Sequence, residues 1–185
     1  MRSHLWPFAL KCRVIVAYCV FLVSASYGLA AECAFKRVPI ELLDPSSRAV
    51  YSGKAKTVEL RFSNFRANDP VDVFPESPLR LTHLGLNSTC EIDGGIWIRA
   101  HVYLSRDEKT LLTREYSGNN EQLMFYATSN CRKLAEVDVT DARFLLQGNR
   151  LVIRHSDARR LKKADAVYRF TERCIPAQPY VTGKR

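Results

Sequence analysis

The sequence predicts an all-β domain, an antiparallel β-meander closing as a sandwich or a small barrel. Residues 96–154 consist of short runs in which apolar and polar residues alternate, and polar turns separate the runs. Strands that follow one another this closely pair most simply as antiparallel neighbours. Cysteines spread along the same region add two disulfides to the prediction.

The first 30 residues have the pattern of a signal peptide, and residues 31–175 are expected to form one domain. Three cations and an apolar run at 14–22 precede Gly28-Leu29-Ala30, which fits the small-x-small rule, so we expect cleavage after Ala30. The alternative is an uncleaved anchor, because the apolar stretch approaches the length that spans a bilayer. Cleavage predicts a periplasmic or secreted protein without stable membrane insertion.

Cleavage leaves four cysteines, an even number that indicates disulfides in an exported chain. Three pairings are possible. We favour Cys33–Cys174, which ties the ends of the domain together, and Cys90–Cys131, which braces the meander. A tetrathiolate zinc site is disfavoured because no two of these cysteines have the close spacing of metal ligands. The sequence therefore predicts no metal and no other cofactor.

The chain carries a net charge of +9, which falls to +6 once the three cations of the leader are removed. A moderately basic domain favours acidic partners or anionic surfaces of the envelope. Nucleic acid is not an expected partner, because the chain is exported and stacking aromatic residues are not evident in its basic run, residues 150–173.

The first half of the domain is expected to be irregular around one clear strand. Residues 31–50 read as an extended arm that ends in a turn at 44–47. Residues 56–63 alternate cleanly and predict a half-buried strand. Residues 64–78 contain three prolines and predict a long irregular loop. Asp93-Gly94-Gly95 then predicts a sharp turn into the meander. Further strands are expected at 79–84, 110–116, 122–128, 133–139, 143–146 and 150–155.

The first meander strand, residues 96–104, is expected to present two different faces. Its core face is predicted to consist of Ile96, Ile98, Ala100, Val102 and Leu104. Its outer face is predicted to consist of Trp97, Arg99, His101 and Tyr103. Because Trp, Tyr and Arg are enriched at interface anchors, the outer row is a candidate contact surface. The alternative is that this row packs inside the second layer of a sandwich.

The C-terminal part is strongly basic and its structure is ambiguous from sequence. A short helix at 158–164, capped by Ser156-Asp157, and a closing strand at 166–172 are expected. A single helix reaching Arg173 is the competing prediction. Residues 176–185 are expected to form a flexible tail. The exposed cations predicted for the helix are Arg159, Arg160, Lys162 and Lys163.

No motif in the sequence points to catalysis. The histidines of the mature chain lack metal-ligand spacing, and no nucleophile elbow is present. An acidic cluster in the proline-rich loop matches no calcium-loop spacing and is interpreted as solvated. These histidines are His83, His101 and His155, and the acidic cluster consists of Asp69, Asp72 and Glu76.

The sequence therefore predicts an exported, non-enzymatic binding protein, immunity- or inhibitor-like, that neutralises or docks onto a protein partner. The alternative is an envelope carrier or anion-binding module that contacts lipid or polysaccharide through the basic run. Expected contacts fall into three groups: the outer row Trp97, Arg99, His101 and Tyr103; Asp72 and Phe74 of the proline-rich loop; and the helix cations Arg159, Arg160, Lys162 and Lys163.

Overall fold

The computed structural model describes residues 33–47, 49–65, 71–75, 78–155 and 165–181. These parts form fifteen β-strands, and none of them contains a helix long and apolar enough to cross a bilayer. The signal peptide, two loop acids (Asp69 and Glu76) and the capped helix with its four cations lie outside them. The strands are β1 Lys36–Arg37, β2 Glu41–Leu42, β3 Val50–Lys54, β4 Val58–Ser63, β5 Val73–Pro75, β6 Leu79–His83, β7 Ser88–Ile92, β8 Ile96–Leu104, β9 Thr110–Ser117, β10 Asn120–Ala127, β11 Lys133–Asp138, β12 Ala142–Gln147, β13 Arg150–His155, β14 Ala166–Arg169 and β15 Tyr180–Val181.

The strands form three antiparallel sheets, which confirms the all-β prediction. The first sheet has the order β2-β3-β4-β6-β7. The central sheet has the order β1-β8-β9-β10-β11, with β5 added on β8, and the third has the order β12-β13-β14-β15. The predicted closure thus takes the form of packed open sheets, which is the sandwich alternative.

The central sheet is buried on both faces. One core lies between it and the first sheet and includes Leu60, Phe62 and Leu111. A second core lies between it and the third sheet and includes Leu112 and Leu151. Because neighbouring residues of a strand point to opposite faces, Leu111 and Leu112 contribute to different cores. The domain is therefore a three-layered sandwich.

The meander does not continue as one sheet, because β11 and β12 do not pair in the part of the chain that the structure describes. Between them the Val139 amide donates to the Glu121 carbonyl at 2.8 Å, and the Ala142 amide donates to the Val139 carbonyl at 3.0 Å. Asp141 has a φ of +56°. This tight turn redirects the chain into the third layer, where Ala142 is buried.

The alternation predicted along β8 is wrong at its middle. Trp97 pairs with Glu115 and Val102 with Thr113, so five steps along β8 match two steps along β9. An odd number of extra residues reverses the side-chain alternation across such a bulge. Trp97 and Val102 consequently face the same core, and both are fully buried.

The proline-rich loop contains a short strand that the sequence did not predict. Residues 73–75 pair with β8, and Pro75 is tolerated because it ends an edge strand. Phe74 is fully buried in the first core and stacks on Phe62 with ring centroids 4.8 Å apart. This segment fills the core beside Trp97.

The two favoured disulfides are confirmed, and each joins a pair of layers. Cys90 of β7 bonds Cys131, which follows β10, so this bridge links the first and central sheets. Cys33 precedes β1 and bonds Cys174, which follows β14, so this bridge links the central and third sheets. The bonds therefore brace both layer junctions.

The C-terminal end adds to the third sheet. Strand β14 supports the predicted closing strand and contradicts a helix reaching Arg173. Residues 180–181, which the sequence placed in a flexible tail, pair with β14. The Ala177 amide also donates to the Arg169 carbonyl at 2.8 Å. The chain thus stays attached to the sheet through residue 181.

Gly53→Ala is expected to lower the free energy of unfolding by about 1–3 kcal/mol, because β3 packs closely against the N-terminal arm. A Cβ at this position would lie 2.8 Å from Val38 Cγ1 and 3.0 Å from the Pro39 carbonyl oxygen. Gly85→Ala is the matched control, since no atom lies within 4 Å of its Cβ position. Urea denaturation measures both variants, and equal losses would contradict this account.

Candidate functional site

The predicted outer row does not form one surface. Trp97 is a core residue and is unavailable to a partner in this fold. Arg99 is half-buried, and its Nε donates to the Ile40 carbonyl at 2.8 Å. Its guanidinium also lies 4.9 Å from the centroid of the Tyr51 ring. Arg99 therefore braces the N-terminal arm and the first sheet against β8.

His101 and Tyr103 do stay together, at the seam between the central and third sheets. His101 Nδ1 lies 3.1 Å from the Tyr103 hydroxyl. Both rings pack near Phe144 of β12, with centroid distances of 5.4 and 6.2 Å. Arg114, which is ion-paired with Glu121, lies 5.9 Å from the same Phe144 ring. The half-buried seam thus uses these side chains for packing between layers.

The electrostatics of this seam favour an uncharged histidine. Burial, and then the nearby charges of Arg114 and Arg37, lower the pKa of His101 below its ordinary value. Burial also raises the pKa of Tyr103. A neutral imidazole beside a neutral phenol suits an inter-sheet contact better than an exposed anchor.

The remaining predicted contacts are scattered. Asp72 is exposed, and its carbonyl accepts the Arg99 amide at 2.9 Å. Phe74 is fully buried in the first core, so its side chain is not exposed in this fold, and its role as a contact residue stays a prediction. The four helix cations lie outside the described residues.

A cavity of about 370 Å³ lies between the first and central sheets, and the sequence did not predict it. The β7–β8 turn, Asp93–Gly95, forms one wall, and residues 115–117 form another. Tyr126 and the disulfide residue Cys131 also line it. The β9–β10 hairpin, residues 117–120, begins at its rim. We call the cavity, this turn and this hairpin the cavity end.

Glu115 is buried at the cavity end, with 6% of its surface exposed. The Thr113 hydroxyl donates to Glu115 Oε1 at 2.5 Å, and the Tyr126 hydroxyl donates to the same oxygen at 3.1 Å. Burial raises the pKa of Glu115 to about 7, although the two hydrogen bonds and Lys133 act in the opposite direction. Burial and Glu115 together raise the pKa of Tyr126.

The β7–β8 turn rests directly on this carboxyl. Gly94 and Gly95 take the positive φ values that the Asp-Gly-Gly turn predicted, 81° and 94°. A Cβ on Gly95 would lie 2.5 Å from Glu115 Oε2, so only glycine fits there without displacement. The sequence signal that was missed is an acid on the side of β9 that also carries Leu111 and Thr113.

The hairpin beside the cavity is short and exposed. Ser117 pairs with Asn120, and Gly118 between them has a φ of 61°. Residues 117–120 are all exposed. In the described parts of the chain, no group of three His, Cys, Asp or Glu side chains could hold a metal ion. The cavity end therefore combines a cavity with an exposed hairpin that two paired strands carry.

A three-layered, disulfide-braced β domain with an exposed hairpin beside a cavity has the features of a protein-binding module. The chain belongs to the family described as "Immune protein Tsi1", whose family model matches residues 33–168. It is 34% identical over 117 residues to the immune protein Tsi1 of Pseudomonas aeruginosa, covering 62% of this chain and 67% of that protein. This membership confirms the prediction of an immunity-like binding protein and does not favour the envelope-carrier alternative.

Solved structures with partial likeness are two yeast Hsv2 proteins. For Hsv2 of Kluyvelomyces marxianus the TM-score is 0.31 at 15% identity, covering 80% of this chain and 55% of that chain. For Hsv2 of Kluyveromyces lactis the TM-score is 0.29 at 14% identity, covering 76% and 49%. This chain thus spans about half the length of these structures, and TM-scores this low carry no argument.

Proposed function

We propose that this chain is exported to the periplasm and neutralises one toxin protein by forming a stoichiometric complex with it, without catalysis. Membership of the immune protein family is the observation that carries this proposal. A binding protein needs shape and preorganised contacts, and it needs no reacting group.

The periplasm is supported by two independent features. The N-terminal sequence has the pattern of a signal peptide. Both layer junctions are closed by disulfides, which persist in oxidising compartments and are rare in the cytosol. A toxin that acts in the envelope would be met there by the folded, oxidised protein.

We further propose that the toxin contacts the cavity end. It contains a cavity of about 370 Å³, against about 200 Å³ for the one beside Lys36–Pro39, and concave sites are usual places for recognition. The hairpin at 117–120 projects exposed polar side chains from paired strands, so little ordering would be lost on binding. The contact residues predicted on β8 lie in the core or in the seam between two sheets. They would therefore offer a toxin less exposed surface than the cavity end does.

The test uses oxidised mature protein, residues 31–185, immobilised to capture a binding protein from the source organism. The captured protein is purified and its stoichiometry and affinity are measured by calorimetry. Periplasmic expression of that protein should stop the growth of a host, and coexpression of this chain should restore it. A chain lacking residues 2–30 should give no protection.

Asn119→Arg should weaken the complex at least about tenfold, or about 1.4 kcal/mol. Its matched control is Asn149→Arg, because Asn149 also follows a glycine of positive φ in an exposed hairpin turn. If no saturable complex with a captured protein forms, the proposed function is wrong. If Asn149→Arg weakens it and Asn119→Arg does not, the toxin contacts another surface.

A further inference from the structure

We propose that Glu115 is a positioning residue of the cavity end: its protonated carboxyl holds the Asp93–Gly95 turn against β9 and β10, and loss of that proton loosens the turn and the adjoining hairpin. The conformational part depends on the fold alone. Its consequence for toxin affinity rests on the proposed function.

The geometry is that of a neutral acid serving as a packing contact. Glu115 lies two residues before the hairpin and is almost completely buried. Its Oε1 accepts the hydroxyls of Thr113 and Tyr126, whereas its Oε2 lies under Gly95, with the Tyr126 hydroxyl 3.4 Å away. The two hydroxyl donors on Oε1 favour the charged form, but burial of the group, with Oε2 packed against the backbone of Gly95, favours the neutral acid more strongly.

The surroundings would oppose a charge on Glu115. The other charged and titratable groups that line the cavity come from every element around it: Glu91, Asp93, Tyr116, Tyr126 and Lys133. Lys133 is the cation among them, and its Nζ is 2.8 Å from Glu136 Oε2. Glu91 is similarly engaged, with Arg80 at 2.7 Å. Desolvation is therefore what would oppose the charge of an ionised Glu115, and water drawn to that charge from the cavity would displace the glycine turn that covers Oε2.

The direction of the pH effect follows from linkage. Because burial raises the pKa of Glu115 from 4.5 to about 7, the folded state holds this proton where the unfolded state has lost it. The stabilisation that protonated Glu115 contributes is fully present below the pKa that Glu115 has in the unfolded chain. It is lost as the pH rises through about 7. The turn is thus expected to be tight in mild acid and loose in mild base.

The test follows the amide NMR signals of Gly94, Gly95 and Gly118 in the purified oxidised chain from pH 5 to pH 9. We expect a shared inflection at a pH of about 7, the pKa of Glu115, in the wild type. Glu115→Gln should keep the low-pH signal positions throughout, because its amide oxygen accepts both hydroxyls without a charge. Glu121→Gln is the matched control and should keep the inflection, because Glu121 pairs with Arg114 on the opposite face.

Two results would overturn the proposal. One is an inflection of the glycine signals that persists in Glu115→Gln. The other is a Glu115 side-chain carboxyl carbon signal that titrates at an ordinary pKa, near 4.5. The carbon titration needs only the wild-type chain, so the proposal stays testable even if the glutamine variant fails to fold.

The affinity arm uses the captured toxin. From pH 6 to pH 8.5 the wild-type affinity should fall about tenfold, the equivalent of one pKa unit of coupling, and the affinity of Glu115→Gln should stay level. If the wild-type affinity does not change with pH while the glycine NMR signals still show their inflection, the link between this proton and toxin binding is overturned. If no toxin is captured the proposed function fails, and the NMR measurements still decide the role of Glu115.

Discussion

Trp97→Ala is expected to lower the free energy of unfolding by about 3–5 kcal/mol, because it removes the largest side chain of the first core. The indole is fully buried there. Its ring centroid lies 6.3 Å from that of Phe62 and 6.4 Å from that of Tyr126. Removing it leaves a cavity where the two sheets meet, and the rigid strands around it can close that cavity only in part.

Urea denaturation with an unchanged m-value measures this loss. Trp97→Phe is the graded control and should cost less, because it retains much of the buried aromatic surface. His101→Ala, in the same strand, should also cost less than Trp97→Ala, since His101 is half-buried in the seam. A Trp97→Ala variant within about 0.5 kcal/mol of the wild type would instead place the indole on the surface.

Replacing Cys33 and Cys174 together by alanine is expected to destabilise the domain by about 5 kcal/mol, against about 4 kcal/mol for the Cys90–Cys131 pair, by the chain-entropy relation. The difference arises because the two bridges close loops of very different length, with sequence separations of 141 and 41. The longer loop removes more conformations from the unfolded chain.

Equilibrium unfolding of the two double variants, each in oxidised form, gives the comparison. Each variant serves as the control for the other, since each retains one bridge across a layer junction. A larger loss for the Cys90–Cys131 pair would show that contacts in the folded state, and not loop length, dominate its contribution.

The sequence predicts those parts of the fold that are encoded locally. Val58, Leu60 and Phe62 alternate without interruption in β4, and all three are fully buried. The turns at 93–95, 117–120 and 147–149 lie where the sequence predicts them, and their glycines take the positive φ values that such turns need. The sequence favours the disulfide pairing, by contrast, on a different ground: Cys33–Cys174 ties the two ends of the domain together and Cys90–Cys131 braces the meander.

What the sequence did not predict depends on contacts between distant segments. The bulge in β8 is defined only by its register against β9, so regular alternation placed Trp97 on the wrong face. Phe74 lies among prolines and enters the core because its short strand, β5, pairs with the edge of β8. Neither feature has a local signature.

The candidate site was missed for a related reason. The inward position of Glu115 was readable from the alternation of β9, but a lone acid in a strand gives no sign of what will cover it. The glycine turn that lies over Glu115 belongs to the connection between β7 and β8, which is distant from Glu115 in the sequence. The sequence does identify residues of the types that anchor interfaces, such as Trp97. The packing of the three layers determines which side of the strand each of them occupies.

The burial of both faces of the central sheet means that the domain cannot be shortened without exposing a hydrophobic surface. A fragment ending at Asp138 would retain the first and central sheets but would uncover Leu112, Leu123 and Phe125, which the third sheet now covers. Such a broad apolar face on a truncated chain is an aggregation hazard. Any minimal form intended for crystallisation or display must therefore keep all three layers.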